Sequence, residues 1–334
     1  MKSNLNKFGF LLTVISLLGL NTPKAQAALL VAGIGNNAVF RYNETTGVLI
    51  DSFIPPGSGG LDFPGGLTIG TDNNLYVASL NNNSVLRYNG QTGAFINAFV
   101  SAGSGGLERP FSAIFGLDNN LYVSSNLNNT VLRYDGMTGA FIDTFVSAGN
   151  GGLSKPMAMR FGPDHNLYVA SGGTNSILRY NGTTGALIDT FIPTGSGGLA
   201  GPSQLRFGTD NILYVGSLEG NSILRYNSST GEFIDTFVAP GSGGLVGPID
   251  LLFSSNNSLY ISSSGTNSIL RYNATTGAFI DTFIPPNSQG LAIPSGLAFS
   301  PESVPEPSVI LGLGLLGAWG TVAKTTTKLK NRNG

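Results

Sequence analysis

The sequence contains no cysteine, and this absence removes several kinds of chemistry at once. No disulfide, thiolate metal site or cysteine nucleophile can form. Charged residues are scarce too, at 10% of the chain. Between residues 28 and 300, ten basic and sixteen acidic side chains give a net charge of −6, with no cluster of lysine or arginine. Nucleic acid is therefore not an expected partner, because binding the phosphate backbone requires clustered positive charge.

Histidine is almost absent as well. The single histidine, His165, stands in a turn where other copies of a repeat carry asparagine: Asn73, Asn119, Asn211 and Asn257. A residue interchangeable with asparagine in a tight turn is expected to be solvated rather than catalytic. The aspartates of these turns lack the D-x-D-x-D-G spacing of a calcium loop, so calcium is the less favoured alternative to simple turn formation. We predict no catalytic residue, no metal and no cofactor.

What the chain has in abundance is glycine, with 48 residues, together with a strict internal repeat. An Arg-Tyr pair and a proline each recur every 46 residues. The pairs begin at Arg41, Arg87, Arg133, Arg179, Arg225 and Arg271, and the prolines are Pro64, Pro110, Pro156, Pro202, Pro248 and Pro294. Six copies without insertion or deletion indicate one supersecondary unit that buries its apolar face against its neighbours.

Four strand signals fit in each unit. In the copy that begins at Pro202, strands are predicted over 202–207, 213–217, 222–226 and 233–238, with Gly, Asn and Asp marking the turns. No segment between the two chain ends shows a helical apolar period. Four-stranded units of about 40 to 50 residues are typical of β-propellers. The predicted fold is all-β, a six-bladed β-propeller over residues 28–300.

The ends of the repeat region favour a closed ring over an open solenoid. The first copy, residues 29–54, supplies only three strands, and the missing innermost strand is found at the other end, over residues 294–299. We expect this strand to complete the N-terminal blade, with Leu297 close to Val31, so that no sheet edge stays open. Truncation before Pro294 is then expected to open the ring.

The pattern Pro…Asp-Asn…Leu-Tyr-Val, carried by residues 29–300, resembles six-bladed propellers of the NHL, streptogramin-lyase and gluconolactonase-like group. The resemblance implies a fold more than an activity. NHL repeats usually place Asp after the Tyr-Val-Ala strand, whereas this chain has Ser79, Ser171 and Ser217 there. Streptogramin-lyase-like activity implies a histidine base. Gluconolactonase-like activity implies a metal held by Glu, Asn and Asp, of which only Asp250 has a counterpart here.

Residues 1–27 have the pattern of a secretory signal peptide. Lys2 and Lys7 flank the start, residues 8–20 form an apolar run, and Ala25 and Ala27 frame a small-x-small cleavage site. The run of 13 residues is shorter than the roughly 20 needed to span a membrane, so cleavage is favoured over an uncleaved anchor.

Residues 301–334 contain Pro305, Glu306 and Pro307, then an apolar run over 309–323, then a basic tail. This order resembles the PEP-CTERM sorting signal and implies an exosortase-type sorting enzyme as a partner. Fifteen residues at about 1.5 Å each give roughly 22 Å, a thin transmembrane helix, and the basic tail behind it is expected to stay cytoplasmic. We predict an exported protein of the cell envelope, surface or extracellular space. A plain C-terminal anchor is the alternative.

Features shared by the units are interpreted as scaffold. Arg179 and Asp189 are expected to form a cross-strand ion pair of the kind that contributes about 0.2–1 kcal/mol. The same spacing recurs in Arg133/Asp143, Arg225/Asp235 and Arg271/Asp281, while Asn97 replaces the acid in the second blade.

Candidate ligand-binding residues are sought where the units differ. Two and four residues after the repeat prolines, the innermost strands carry Arg160, Gln204, Arg206 and Asp250 on three adjacent blades near one channel mouth. The favoured interpretation is a hydrogen-bond network between blades. The alternative is a polar pocket for a small anionic or sugar-like ligand.

The leading functional hypothesis is a non-catalytic binding or structural module at the surface or in the matrix, contacting polysaccharide or a surface protein. The Gly-Ser-Gly-Gly loops and the Asn-rich loops near 81–83 and 128–129 are expected to share one face, where small polar groups suit weak multivalent contacts. A lactonase- or lyase-like enzyme at the channel mouth is the alternative, and a spacer without a ligand is the third possibility.

Overall fold

The computed structural model describes residues 28–301, except residues 209 and 287 and the side chain of Gln289. The predicted cleavage site at Ala25 and Ala27 lies outside the described residues. The predicted sorting signal, with Pro305-Glu306-Pro307 and the apolar run over 309–323, lies outside them too. Within the described part of the chain, no helix is long and apolar enough to cross a membrane.

The described residues form six four-stranded antiparallel sheets, as the repeat predicts. Aromatic and β-branched residues fill the strands, and Gly, Asn and Pro separate them. From the innermost strand outward, the blades are: blade 1, β24 (Pro294–Phe299), β1 (Ala28–Gly33), β2 (Ala38–Asn43), β3 (Leu49–Ile54); blade 2, β4 (Pro64–Ile69), β5 (Leu75–Ser79), β6 (Ser84–Tyr88), β7 (Phe95–Val100); blade 3, β8 (Pro110–Phe115), β9 (Leu121–Ser125), β10 (Thr130–Tyr134), β11 (Phe141–Val146); blade 4, β12 (Pro156–Phe161), β13 (Leu167–Ser171), β14 (Ser176–Tyr180), β15 (Leu187–Ile192); blade 5, β16 (Pro202–Phe207), β17 (Ile212–Ser217), β18 (Ser222–Asn227), β19 (Phe233–Val238); and blade 6, β20 (Pro248–Phe253), β21 (Ser258–Ser263), β22 (Ser268–Asn273), β23 (Phe279–Ile284).

Eight single-turn 3-10 helices connect strands: Ile34–Asn36, Ser58–Gly60, Ser104–Gly106, Asn150–Gly152, Ser196–Gly198, Ser242–Gly244, Ser264–Thr266 and Ser288–Gly290. Six of them lie in loops that lead from one blade to the next. Gly105 shows why these loops need glycine: its φ is 64°, and a Cβ there would lie 2.1 Å from the Phe141 ring of the next outer strand.

The ring is closed, as predicted, by the last strand. β24 pairs with β1 in antiparallel register, with Val31 opposite Leu297 and Leu29 opposite Phe299. β24 also packs against the innermost strands of both neighbouring blades, β4 and β20. Blade 1 therefore combines the two ends of the described chain into one sheet.

The core consists of apolar layers between adjacent sheets. Between blades 3 and 4, Tyr122 and Phe145 pack against Met159 and Leu167, and the Tyr122 and Phe161 rings meet edge to face at 5.0 Å. The same layer recurs between the other blades, because each blade presents the same apolar faces. Each sheet is buried by two neighbours, so a blade has no complete core of its own.

The predicted cross-strand ion pairs are confirmed. Arg179 Nε donates to Asp189 Oδ1 at 3.1 Å, and the guanidinium also lies over the Phe191 ring at 4.8 Å. The first blade carries a further pair, Arg41 with Asp51, that the sequence analysis did not name. Arg133/Asp143, Arg225/Asp235 and Arg271/Asp281 pair in the same way, and Arg87 instead donates to Asn97 Oδ1 at 3.2 Å.

Candidate functional site

The antiparallel order of each blade gives the ring two distinct faces. The loops between blades and the loops between the second and third strands lie on one, which we call the loop face. The turns after the first and third strands lie on the other, the turn face. The innermost strands run between the faces and line a central channel.

In the channel, Asp250 on β20 is 4% exposed, and both of its carboxylate oxygens are engaged. Oδ1 accepts hydrogen bonds from Gln204 Nε2 of blade 5 at 2.6 Å and from the Leu251 N–H at 2.7 Å. Oδ2 accepts from the Leu297 N–H of blade 1 at 2.9 Å. One carboxylate therefore links three blades, including the closing strand.

Arg206 joins the same network. Its Nε donates to the Leu251 carbonyl at 2.8 Å, and one of its terminal nitrogens lies 3.4 Å from Asp250 Oδ1. The structure thus brings three of the four predicted residues, Gln204, Arg206 and Asp250, into contact across blades. Their geometry is that of the inter-blade network which the sequence analysis favoured.

Arg160 behaves differently. One of its terminal nitrogens donates to the carbonyl of the preceding residue, Met159, at 3.2 Å, and no carboxylate of the described residues lies within ion-pair distance. Burial, and then the charge of Arg206, lower the pKa of Arg160 to about 9, with Asp250 opposing the shift. The guanidinium still keeps its proton at neutral pH, so the channel holds a cation without an ion-pair partner.

The space beside Arg160 is small. A channel cavity of ≈ 20 Å³ is lined by this residue, Thr68, Ser112, Gln204, Asp250 and three glycines. A cavity needs about 10–15 Å³ on this measure to hold one water molecule. This cavity has room for about one water molecule and none for a sugar ring.

On the loop face, the Gly-rich and Asn-rich loops do lie together, as expected, but they bind each other. Asn82 Nδ2 donates to the Gly60 carbonyl at 2.6 Å. In each blade, an asparagine with a left-handed backbone conformation also accepts a hydrogen bond from a backbone N–H of the loop that enters the next blade. Asn83 Oδ1, for example, accepts from the Arg109 N–H at 2.8 Å. These amides link neighbouring blades, so few of them remain available to a ligand.

The turn face carries two larger cavities that the sequence analysis missed. One, of ≈ 160 Å³, lies between blades 3 and 4 and is lined by Leu117, Asp118, Tyr122, Arg133, Phe161, His165, Gly182 and Thr183; we call it the Phe161 groove. The other, of ≈ 370 Å³, lies between blades 5 and 6 and is lined by Phe207, Gly208, Asp210, Tyr214, Phe253, Ala274 and Thr275; we call it the Phe253 groove.

Both grooves place a half-buried phenyl ring beside a polar cluster. In the Phe161 groove, Asp118 Oδ2 accepts from Tyr122 Oη at 3.0 Å and from Asn120 Nδ2 at 2.7 Å, with an Arg133 nitrogen at 4.0 Å. In the Phe253 groove, Tyr214 Oη donates to Asp210 Oδ2 at 3.1 Å. Because each groove joins residues from two blades, no single repeat unit displays it.

His165 is exposed in its turn, with φ of 64°, and borders the Phe161 groove. It lies on the turn itself, as the sequence indicated, rather than among the channel residues. Within residues 28–301, as far as they are described, no three His, Cys, Asp or Glu side chains gather as metal ligands.

Comparison with known proteins gives a fold and no family. No family model matches the chain, and no curated protein sequence matches it. Several solved structures do match the chain. The nidogen/laminin complex matches with a TM-score of 0.66 at 16% identity, over 84% of this chain and all of that chain.

Two further structures are similar. One is a catalytically inactive histidine-to-alanine variant of virginiamycin B lyase from Staphylococcus aureus with quinupristin, at a TM-score of 0.57 and 18% identity, over 84% of this chain and 94% of that one. The other is a protein of unknown function from Bacteroides caccae, at 0.61 and 15%, over 83% and 99%. Likeness at this level of identity shows the propeller fold alone.

Proposed function

We propose that this protein is an exported, non-catalytic binding module that contacts polysaccharide through the grooves of its turn face. The observation that carries the proposal is the pair of inter-blade grooves, each with an accessible phenyl ring next to fixed hydrogen-bonding groups. A sugar ring offers C–H groups on its faces and hydroxyls at its edge, which suits an apolar wall beside a polar cluster.

The polar groups of each groove are suited to hydrogen bonds with sugar hydroxyls. The Asp118 carboxylate accepts a hydrogen bond from Tyr122, and Arg133 and Thr183 also line the groove, so it offers both acceptors and donors. An anionic ligand would meet this aspartate and an acidic propeller body of net charge −6. A neutral polysaccharide is therefore favoured over an acidic one.

The repeat supplies several such positions on one disc. The combination of aspartate, tyrosine and arginine with a phenylalanine from the next blade also occurs at Asp72, Tyr76, Arg87 and Phe115, and at Asp164, Tyr168, Arg179 and Phe207. Individually weak sites that engage one long chain together gain affinity through their effective concentration. Polysaccharide binding is then expected to rise steeply with the length of the glycan.

The test is binding to neutral polysaccharides and their short oligosaccharides, measured by affinity electrophoresis and calorimetry. Phe161→Ile together with Phe253→Ile should weaken binding about tenfold or more, while folding is kept because Ile69 occupies the equivalent position in blade 2. Leu127→Ala is the control, since Leu127 is exposed on the loop face. The proposal would be contradicted if the protein bound no polysaccharide, as expected of a spacer, or if the double variant bound as well as the wild type.

Export rests on the terminal sequence patterns. We expect mass spectrometry of the mature protein to show loss of residues 1–27 and processing near Pro305-Glu306-Pro307, with an exosortase-type enzyme as the partner. A mature chain that still begins at Met1 would reject the export proposal and leave the groove proposal standing.

The second candidate is a lactonase- or lyase-like enzyme at the channel mouth. The unpaired Arg160 cation favours it, and its fold is shared with the lyase named above. Lactone or streptogramin turnover by the full chain, lost in Asp250→Ala together with any bound metal, would establish this alternative. The engagement of both Asp250 oxygens with N–H donors weighs against it.

A further inference from the structure

The innermost strands carry three charged side chains, and their charges do not cancel. Arg206 and Asp250 pair with each other, so Arg160 is left as one excess positive charge in the channel. Arg160 is only partly exposed, and a charge with restricted access to water is stabilised by a counter-charge with hydrogen bonds to it. The described residues do not supply that counter-charge.

Two further hydrogen-bond donors line the cavity beside Arg160, and the Asp250 carboxylate, which also lines it, is already engaged by N–H donors. Ser112 is 7% exposed, and no hydrogen bond donated by its hydroxyl is found among the described residues. Gln204 is also 7% exposed and uses one of its two amide hydrogens on Asp250, which leaves the second. Together with Arg160, these side chains line the same small space.

The size of the cavity limits what these donors can hold. A space of ≈ 20 Å³ accepts one atom or ion of about the size of water. Phosphate, sulfate and carboxylate-bearing metabolites are too large, and a cation would be repelled by Arg160. A single halide ion meets both the size and the charge.

We propose that the central channel is a binding site for one monatomic anion, chloride, held by the Arg160 guanidinium with Ser112 Oγ and Gln204 Nε2 as further donors. This site is independent of the grooves on the turn face. Because Gln204 also holds Asp250, the anion would stabilise the network that links blades 5, 6 and 1.

The experiment is thermal unfolding of the full chain at constant ionic strength, with sodium gluconate replaced stepwise by sodium chloride or bromide. Above the dissociation constant, each tenfold rise in halide should raise Tm by about 3 °C, while gluconate and sulfate should not. Arg160→Leu should abolish the halide dependence. Leu252 occupies the equivalent position in blade 6, so leucine suits this strand. Lys155→Met, which removes an exposed cation of the same blade, should keep the dependence.

Crystals soaked in bromide give a second readout that does not depend on stability. An anomalous peak within contact distance of Arg160 is expected in the native chain and not in Arg160→Leu. Equal Tm values in chloride and gluconate would overturn the proposal. So would halide dependence that survives in Arg160→Leu, or a channel without bromide in the soaked crystals.

Discussion

Blade 1, where the ring closes, and the continuous blades differ in the hydrogen bonding of a repeated tyrosine. In blade 4, Tyr180 Oη donates to the Asn150 carbonyl at 2.8 Å, in the loop that enters from blade 3. Blades 2, 3, 5 and 6 repeat this bond at 2.7–2.8 Å. In blade 1, Tyr42 Oη is buried without a partner among the described residues, and burial raises its pKa.

The backbone, in contrast, is continuous across the closure. The Ile34 N–H donates to the Ile293 carbonyl at 3.0 Å, as the Leu80 N–H does to the Phe63 carbonyl at 3.2 Å within blade 2. The strand ladder between β1 and β24 therefore closes the ring without the tyrosine contact. The loop that enters blade 1 has the sequence Asn-Ser-Gln-Gly over residues 287–290, where the equivalent loops have Gly-Ser-Gly-Gly or Gly-Asn-Gly-Gly.

Removing the closing strand should have the largest effect. A chain that ends at Ala292 exposes the edge of β1 and leaves Leu29, Val31 and Tyr42 without their cover. We expect loss of a cooperative unfolding transition near the native Tm, measured by circular dichroism. A chain that ends at Pro301 keeps β24 and should melt like the full repeat region. Equal Tm values for the two would refute closure by β24.

Leucine-to-alanine substitutions in the core compare the packing of blade 1 with that of blade 5. Leu297→Ala in blade 1 and Leu205→Ala in blade 5 truncate equivalent buried leucines and should each cost about 2–5 kcal/mol of unfolding free energy. If β24 is as well packed in blade 1 as β16 is in blade 5, the two losses of unfolding free energy measured by urea unfolding will be similar. A much smaller loss for Leu297→Ala would show that the closing strand is loosely packed.

The tyrosines should respond in opposite directions. Tyr180→Phe removes a buried hydrogen bond and leaves the Asn150 carbonyl with only the Leu153 N–H, at 3.3 Å, so it should destabilise by about 1 kcal/mol. Tyr42→Phe removes an unpaired hydroxyl and should be neutral or stabilising by up to about 1 kcal/mol. Equal destabilisation in both variants would mean that Tyr42 has a partner after all.

The surface ion pairs should give the smallest effect, equal in both regions. Asp51→Asn in blade 1 and Asp235→Asn in blade 5 should each cost less than about 1 kcal/mol at pH 7. The hydrogen bond from Arg225 lowers the pKa of Asp235, so its contribution is present above the unfolded value of 3.8 and is lost as pH falls through the folded value. The difference between wild type and Asp235→Asn should therefore shrink as the pH falls below 3.8; a difference that does not change with pH would contradict this assignment.

Much of the fold follows from the sequence because the 46-residue interval fixes the unit and the split first copy fixes the closure. The pairing of Leu297 with Val31 was predictable for that reason. The partners of Arg160 and Arg206 were not. Both residues stand at the same repeat position, but Asp250 lies one blade beyond Arg206, whereas the blade beyond Arg160 offers no acid.

The grooves escaped sequence analysis for a different reason. Their aspartate, tyrosine and phenylalanine recur in several units, and residues that recur in this way are most simply explained as scaffold. The available signal was an aspartate four residues before a tyrosine, followed in the next unit by a phenylalanine at the end of its first strand, as in Asp118, Tyr122 and Phe161. Only the packing of two blades shows that these residues enclose a space.

The hydrogen bonds at the end of β24 have a mechanical consequence. The Ala28 N–H donates to Ser300 Oγ at 3.0 Å, and the Ser300 N–H donates to the Ala28 carbonyl at 2.9 Å, so the polypeptide enters and leaves the disc at a single point. A force that pulls these two exits apart would break the β1–β24 ladder one rung at a time and meet little resistance. If only one end of the described chain is held, no tension passes through the β1–β24 ladder, and the propeller would stay folded.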